Sequence, residues 1–229
     1  MRVQDCNWMQ LERYLERDDR IVLPLGSTEQ HAYLALATDN ILAERIAIEA
    51  AEPLGVPVLP VLAYGITPAF AAYPGSPSLR EATYAAVLRE LLGSLHGQGF
   101  RRFLLVNGHG GNAPAAASVE HWAAETHGAR VIWHNWFNTP SVREAVDAID
   151  HDGAHASWME NFPWTRLPGV ELPTGHKPRL DFRRDADPAR IRAELGDGMI
   201  GGWYQRPDEE VLEVWRAGVE EVRALLAAL

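Results

Sequence analysis

The sequence has little cysteine and little positive charge, and both shortages exclude classes of protein. Cys6 is the single cysteine, so neither an intrachain disulfide nor a cysteine-based zinc cluster can form. The 21 Lys and Arg residues stand against 31 Asp and Glu residues, which gives a formal net charge of −10. Nucleic-acid binding needs a clustered basic face, and the sequence has no basic stripe. We therefore expect no nucleic-acid partner.

Long apolar runs are also missing. The first residues lack the continuous apolar core of a signal peptide, and no segment is apolar over the roughly 20 residues that span a bilayer. With the single cysteine, this predicts a protein of the reducing cytoplasm with no membrane partner. The 229 residues can bury one large core, and no linker rich in Gly, Ser or Pro divides them. We expect a single domain over residues 1–229.

Apolar runs and helical patterns alternate along the first part of the chain. Runs at 21–26, 56–65, 100–108 and 129–137 are typical of buried strands, and helical patterns cover 7–17, 40–52, 81–97, 111–128 and 208–229. Residues 139–207 are less regular. The alternation predicts an α/β fold whose mostly parallel sheet is covered by helices on both faces. Ligands of such folds bind at the carboxyl ends of the strands.

Two motifs with metal-ligating side chains follow predicted strands. In Glu29-Gln30-His31 an extended backbone would place the first and third side chains on the same side, facing one pocket. Asp39 stands where the N-cap of the next helix is expected, and a plain capping role is the alternative. His109 lies in Asn-Gly-His-Gly-Gly-Asn, where glycines permit tight turns, and a structural histidine is the alternative.

The topology brings Glu29, His31, Asp39 and His109 to one edge of the sheet. Two carboxylates and two imidazoles without a cysteine suit Zn²⁺ or Mn²⁺. A bridging aspartate would hold two ions, and a binuclear site lowers the pKa of a shared water and polarises a carbonyl group. A phosphate cradle at the glycine-rich turn is a weaker alternative, because neither Gly-Lys-Ser/Thr nor Gly-x-Gly-x-x-Gly occurs.

A second cluster of titratable groups occupies residues 150–160 and includes Asp150, Asp152, His155 and Glu160. If residues 154–161 are helical, His155 and Glu160 lie about 140° apart around the axis and reach one cavity only from its edges. Several aromatic residues are candidates for a pocket wall, with core packing as the alternative: Trp133, Trp136, Trp158, Trp164, Phe70 and Tyr73.

These blocks resemble the creatininase (creatinine amidohydrolase) family. The resemblance rests on residues 26–31 with Thr38-Asp39, on Tyr73-Pro74-Gly75 with Ser78-Leu79, on residues 108–112 and on residues 155–160, in family order. It implies a three-layer α/β/α fold, a small-molecule substrate, two divalent ions (Zn and/or Mn) and a homo-oligomer, a hexamer in the family.

The resemblance also implies roles for individual residues. Glu29 and His109 would hold one ion, His31 and Glu160 the other, and Asp39 would bridge them. Creatininase takes a carboxylate ligand two residues after the histidine of the glycine motif, where this chain has Gly111, so Glu160 is the candidate for that ligand. His155 matches a family histidine that shuttles protons.

The chain departs from the family pattern around these blocks. Residues 32–36 replace Gly-x-His-Leu-Pro-Leu, residues 69–73 replace a loop with an acidic residue and a histidine, and Asn161-Phe162 replaces Thr-Ser. The departures predict an apolar, aromatic pocket wall. We expect a binuclear metal-dependent hydrolase that acts on a small cyclic amide, lactone or related carbonyl compound through a metal-activated water. The alternatives are C–C hydrolysis of an inositol-derived cyclic ketone and a non-catalytic metal- or ligand-binding family member.

Overall fold

A parallel sheet in the order β1-β2-β3 forms the centre of the computed structural model, which describes residues 1–183 and 185–229. The strands are Arg20–Leu25, Arg102–Asn107 and Arg130–Asn135. Leu23 pairs with Leu105, and Leu105 pairs with Trp133. Because all three strands run in the same direction, their carboxyl ends meet at one edge.

Helices cover both faces of this sheet, which confirms the predicted α/β class. One face carries α1 (Trp8–Leu15), α3 (Glu81–Gly97) and α4 (Ala116–Glu125), and the other carries α2 (Thr38–Ala51), α5 (Pro140–Asp147) and α7 (Asp208–Ala228). Side chains alternate along β1, so that Ile21 and Leu23 pack against the face with α1, α3 and α4, and Val22 packs against the face with α2, α5 and α7. Each buried aliphatic side chain contributes about 1.5–3 kcal/mol.

The predicted strand at residues 56–65 is wrong as a regular strand. Within the described residues, isolated parallel bridges from Val58 to Val22 and from Leu62 to Leu25 connect it to β1. Pro57 and Pro60 have no backbone N–H and interrupt the ladder. The segment nevertheless covers the edge of β1, since the Val22 N–H donates to the Pro57 carbonyl at 2.9 Å.

Two predicted helices differ in detail. Helix α1 begins with a capping box between Asn7 and Gln10, but Trp8 is 69% exposed and Tyr14 is its buried residue. Helix α4 is shorter than predicted because a 3-10 turn, Gly110–Ala115, precedes it and contains Pro114.

The irregular part of the chain folds into short elements around the carboxyl edge. These are 3-10 turns at Trp136–Asn138 and Trp158–Glu160, the antiparallel pair β4 (His176–Lys177) and β5 (Gly202–Trp203), and α6 (Pro188–Leu195). Residues 154–161 are therefore not an α-helix. Among the residues that the structure describes, no helix has both the length and the apolar character needed to cross a membrane.

Candidate metal centre

The first strand and the second helix position three of the candidate ligands. Glu29 and His31 follow the end of β1, and both are buried. Asp39 is the second residue of α2, so its predicted capping role is wrong: Ala37 occupies the N-cap and no side chain caps this helix. The oxygens of Asp39 are instead directed at His31 and His109.

A glycine brings the fourth candidate ligand to these three. A Cβ atom on Gly108 would lie 2.8 Å from the Asp39 carbonyl oxygen and 3.0 Å from the Ala43 Cβ atom. Only glycine therefore lets the end of β2 approach the first turn of α2 so closely. The next residue, His109, then reaches Asp39.

The first group of side chains consists of Glu29, Asp39 and His109. The Nδ1 atom of His109 lies 3.0 Å from Asp39 Oδ2 and 3.3 Å from Glu29 Oε1. Its other ring nitrogen, Nε2, lies 3.0 Å from the Ile66 carbonyl oxygen and can donate to it. A neutral His109 held in this way turns the lone pair of Nδ1 towards the two carboxylates, as metal-binding histidines do.

The second group consists of His31, Asp39 and Glu160. The Nε2 atom of His31 lies 3.0 Å from Asp39 Oδ1 and 3.6 Å from Glu160 Oε2, while Nδ1 lies 3.1 Å from the Glu29 carbonyl oxygen. The Glu160 carboxylate accepts from the Ala156 N–H at 2.6 Å. Ala156 has a φ of 63°, a strained conformation for alanine that turns this N–H towards Glu160.

Asp39 joins the two groups because each of its oxygens faces a different histidine. Asp39 Oδ2 and Glu29 Oε2 are buried and have no aligned hydrogen-bond donor among the described residues. In each group the candidate ligand atoms lie within 4.8 Å of one another. Buried carboxylates with free oxygens need a positive partner. The donor set therefore fits two cations that share Asp39.

His155 lies beside both groups. Its ring is between His31, with a centroid distance of 4.4 Å, and Phe70, which stacks at 4.8 Å. Its Nδ1 atom lies 3.6 Å from Glu29 Oε1. Its Nε2 atom lies 3.0 Å from the main-chain oxygen of Gln30 and 2.9 Å from the side-chain amide nitrogen of the same residue. The tautomer of His155 decides which of these two Gln30 groups is its partner, because one ring nitrogen either donates to the carbonyl oxygen or accepts from the amide.

The protonation of the two candidate histidine ligands shows how the cluster is balanced without metal. Burial by itself lowers the pKa of His31, but Asp39 and Glu160 outweigh it and raise this pKa to about 10. Burial likewise opposes protonation of His109, yet Glu29 and Asp39 raise its pKa well above the ordinary value. Protons on these rings offset the carboxylates, and a metal ion would replace them.

The remaining groups are shifted by burial and by these charges. Burial raises the pKa of Glu160 to about 7. Burial, together with the nearby His31, lowers the pKa of His155 to about 3 and keeps this ring neutral. Burial also favours the neutral acid forms of Glu29 and Asp39, but the neighbouring histidines outweigh it and hold both pKa values below the ordinary range.

A cavity of about 270 Å³ opens over the cluster. Its floor is formed by Glu29, Asp39, His109, His155 and Glu160. Its walls come mainly from the irregular part of the chain and include Phe137, Met159, Arg143, residues 179–182 and Ile200. None of the six predicted aromatic residues lines the described cavity. The wall is partly aromatic as expected, but through Phe137 and Phe182.

Sequence reasoning missed three sets of functional candidates. The sequence analysis assigns no role to Gln30, although its position inside the motif is a signal. Asn112 ties the loops together, accepting from the Ile66 N–H and donating to the Gly26 carbonyl oxygen, both at 3.1 Å. Arg143 and Arg179, on the cavity wall, come from a region without a recognisable motif.

The acidic part of the 150–160 cluster has a different place. Asp150 accepts from the Trp158 indole at 3.1 Å, from the Trp203 N–H at 2.9 Å and from His176 at 3.2 Å. Asp150 therefore connects β4, β5 and the turn that contains Trp158 through hydrogen bonds. Asp150 and Asp152 do not line the cavity.

Comparison with known sequences identifies relatives. The profile of the Creatininase family, described as creatinine amidohydrolase, matches residues 4–161. The mycofactocin precursor peptide peptidase of Mycolicibacterium smegmatis is 36% identical over 106 residues, 43% of this chain and 42% of that protein. The creatinine amidohydrolase of Pseudomonas putida is 31% identical over 114 residues, 47% of this chain and 44% of that protein.

A third relative is the 3-dehydro-scyllo-inosose hydrolase of Thermotoga maritima, 27% identical over 138 residues, 59% of this chain and 44% of that protein. These alignments span less than half the length of each curated relative. Residues beyond 161 lie outside the family profile.

Solved structures resemble the whole chain in fold. A creatinine amidohydrolase (creatininase) superposes with a TM-score of 0.82 at 22% identity, covering 99% of this chain and 96% of that chain. A structure described as creatininase Mn gives 0.81 at 21% identity, covering 99% and 97%. A mutant creatininase described as Zn-Zn type gives 0.80 at 21% identity, with the same coverage.

Proposed function

Because the chain belongs to the creatininase family and brings five candidate ligands together over one cavity, we propose that it is a binuclear metal-dependent hydrolase. Its substrate would be a small cyclic amide, a lactone or a related carbonyl compound, including a short peptide. The single observation that carries the proposal is Asp39, whose two oxygens face the histidines of two different groups.

The residues divide between two ions. Glu29 and His109 would hold one, His31 and Glu160 the other, and Asp39 both. Manganese and zinc are the metals named for two structural relatives, and a set of imidazoles and carboxylates suits either. When bound, such a pair lowers the pKa of water towards neutrality and polarises a carbonyl group.

The chain's own residues supply the rest of the reaction. His155 lines the cavity and contacts Gln30, so it is placed to move a proton between the attacking water and the leaving group. Gly110 and Gly111 begin a 3-10 turn, and their N–H groups have no acceptor within residues 1–183 and 185–229. Donors of this kind stabilise a developing oxyanion.

Of the two alternatives, one has specific support. The relative from Thermotoga maritima is named as a hydrolase of an inosose, so an inositol-derived cyclic ketone remains a second candidate substrate, opened at a C–C bond. A non-catalytic binding protein would be favoured if His155 or Glu160 pointed away from the cluster. Both line the cavity, which supports catalysis.

The test pairs one carboxylate of the cluster with one from the opposite edge of the sheet. We expect purified protein to contain two Zn or Mn ions per chain, and a panel of lactams, lactones, formamides, short peptides and cyclic ketones to include a substrate. Asp39→Ala should lose the metals and at least about 10³-fold in activity. Asp18→Ala, at the amino ends of the strands, should keep both. Two tightly held ions in Asp39→Ala would refute the bridging role.

A homo-oligomer, hexameric in the family pattern, is a further part of the proposal. Large apolar side chains are exposed at several places, among them Trp8 and Tyr64. An interface between copies would cover such side chains. Light scattering of the metal-loaded protein should give a mass that is a multiple of 25.4 kDa, and the mass of one chain would contradict the proposal.

A further inference from the structure

Two arginine side chains line the wall of the cavity above the candidate metal centre. Arg143 projects from α5 and is half-buried. Its guanidinium group is held by Asp147 at 2.7 Å and by the Gly153 carbonyl oxygen at 3.3 Å. One edge of this guanidinium is therefore fixed, which keeps the group at the wall.

Arg179 is held by its backbone alone. Its neighbour Leu180 donates to the Ile200 carbonyl oxygen at 2.9 Å, which ties this stretch to the turn before β5. Across the part of the chain that the structure describes, the Arg179 guanidinium has no ion pair and no hydrogen bond. By contrast, nearby Arg183 and Arg190 are paired with Asp185 and Glu194. Arg179 is exposed at the cavity wall, and its positive charge there has no partner among the described residues.

The charge of the cavity depends on what the centre holds. Four carboxylates line it (Glu29, Asp39, Glu160 and Asp181). Asp147 neutralises Arg143, so Arg179 alone offsets them among the described lining residues, and the formal charge is −3 with neutral histidines. Two divalent ions would carry +4 and reverse this charge to +1. A positive, partly enclosed cavity concentrates anions.

The cavity wall also contains apolar side chains beside the two arginines. Phe137, Met159, Leu180, Phe182 and Ile200 all line the same cavity. The volume of about 270 Å³ lies just below the range for small-molecule sites, about 300–1,000 Å³. The cavity therefore suits a compact group with apolar surface next to a negative charge.

We propose that Arg179, with Arg143, forms an anion subsite that selects substrates bearing a carboxylate beyond the carbonyl group that is hydrolysed. This inference rests on the proposed function and narrows it to anionic substrates. A planar guanidinium binds a carboxylate through two parallel hydrogen bonds, which fixes the orientation of the substrate as well as its charge. A peptide carboxyl terminus and an acidic cyclic amide share this chemistry.

Two matched probe pairs test the subsite and distinguish those sources. One is N-acetylglycyl-L-phenylalanine and its carboxyl-terminal amide, and the other is 5-oxoproline and its amide. Dissociation constants, or KM for any probe that is hydrolysed, are measured for metal-loaded wild type, Arg179→Ala, Arg179→Lys and the control Arg190→Ala. The control removes the same charge from an exposed ion pair that does not line the cavity. Metal content is measured for every variant.

For at least one pair, we expect the dissociation constant of the acid to be at least about tenfold lower than that of its amide, in wild type and in Arg190→Ala. In Arg179→Ala this preference should disappear while affinity for the amide and the metal content stay unchanged, and Arg179→Lys should restore part of it. If two metals are bound but wild type shows no preference for the acid, or Arg179→Ala keeps that preference, the anion subsite is overturned and the proposed function is not. Protein that binds no metal overturns the proposed function and the subsite together.

Discussion

The two edges of the parallel sheet both carry clustered carboxylates, but they neutralise them differently. At the amino ends of the strands, Asp18 lies 2.6 Å from the guanidinium of Arg20 and 2.9 Å from that of Arg102, and Asp19 also pairs with Arg102. At the carboxyl ends, the carboxylates of the candidate metal centre face imidazoles, and two of their oxygens have no aligned donor among the described residues.

The comparison separates a cluster that is paired within the chain from a candidate functional one. The arginines of the amino edge also hold the last helix, since Arg20 donates to the Leu226 carbonyl oxygen at 2.8 Å and Arg102 to that of Leu229 at 3.1 Å. Asp18, Asp19, Arg20 and Arg102 therefore all have charged partners within the chain. Among the described residues, the carboxylates of the cavity floor pair with histidines and with no Lys or Arg, so their positive partners are protons or metal ions.

Metal removal should separate the two edges most strongly. Ions that bind the folded state at about 1,000 times their Kd stabilise it by about 4 kcal/mol, which is roughly 10 °C in Tm for a chain of this size. We expect chelation of the wild-type protein to lower Tm by that amount and Zn or Mn to restore it. Differential scanning calorimetry is the measurement.

The matched variants sharpen this result. Asp39→Ala should have a Tm that does not respond to chelator, whereas Asp18→Ala should start from a lower Tm and show the full wild-type shift. Equal shifts in both variants would mean that any bound ion is held elsewhere.

A smaller effect is expected from Gln30, which contacts the carboxyl edge without being a ligand. Its amide donates to the Gly198 carbonyl oxygen at 3.0 Å and lies against His155. Gln30→Leu removes this support, so we expect kcat to fall about 10- to 100-fold with two metals still bound. Steady-state kinetics with metal analysis checks it. Loss of metal together with activity would show that Gln30 supports the ligands and not His155.

The smallest effect concerns how the free energy of unfolding of the metal-free protein depends on pH, because Asp18 and Glu160 should change it in opposite directions. Although burial favours the neutral acid, hydrogen bonds from Arg20 hold the pKa of Asp18 below its ordinary 3.8. The stability that Asp18 contributes is therefore present above pH 3.8 and is lost as pH falls through the folded pKa. Asp18→Asn should lose about 1 kcal/mol at neutral pH and converge with wild type in acid.

Glu160 should behave in the opposite way. Burial raises its pKa from 4.5 to about 7, so the folded protein holds this proton more tightly than the unfolded chain. The stability that this group contributes is full below pH 4.5 and is lost as pH rises towards 7. Glu160→Gln should remove that loss, on the order of 2 kcal/mol, in urea titrations between pH 4 and 8. A variant that follows the wild-type pH curve would contradict the raised pKa of Glu160.

Much of the fold was predictable because β1, β2 and β3 are apolar runs flanked by helices with clear periodicity. The predicted strand at residues 56–65 was wrong because two prolines interrupt the hydrogen-bond ladder that the hydrophobic pattern alone suggests. Residues 139–207 could not be predicted because their short elements are fixed by tertiary contacts, such as those made by Asp150. That residues 1–229 form one domain stays a prediction, supported by the packing of Leu226 and Leu229 in the same core as Val22.

The site was predictable to the extent that it follows strand ends. Glu29, His31 and His109 stand directly after β1 and β2, so parallel topology places them together. Asp39 was expected at the right place for the wrong reason, since it does not cap α2. Glu160 came from the family resemblance, because no helical spacing brings it to His31 and a strained turn at Ala156 does so instead.

The central claim is that two cations share Asp39, and anomalous X-ray scattering tests it most directly. Crystals grown with Mn²⁺ or Zn²⁺ and measured at the absorption edge of the metal should show two peaks about 3.5–4 Å apart. One peak should lie among Glu29, Asp39 and His109, the other among His31, Asp39 and Glu160. A single peak, or peaks that avoid Asp39, would contradict the claim.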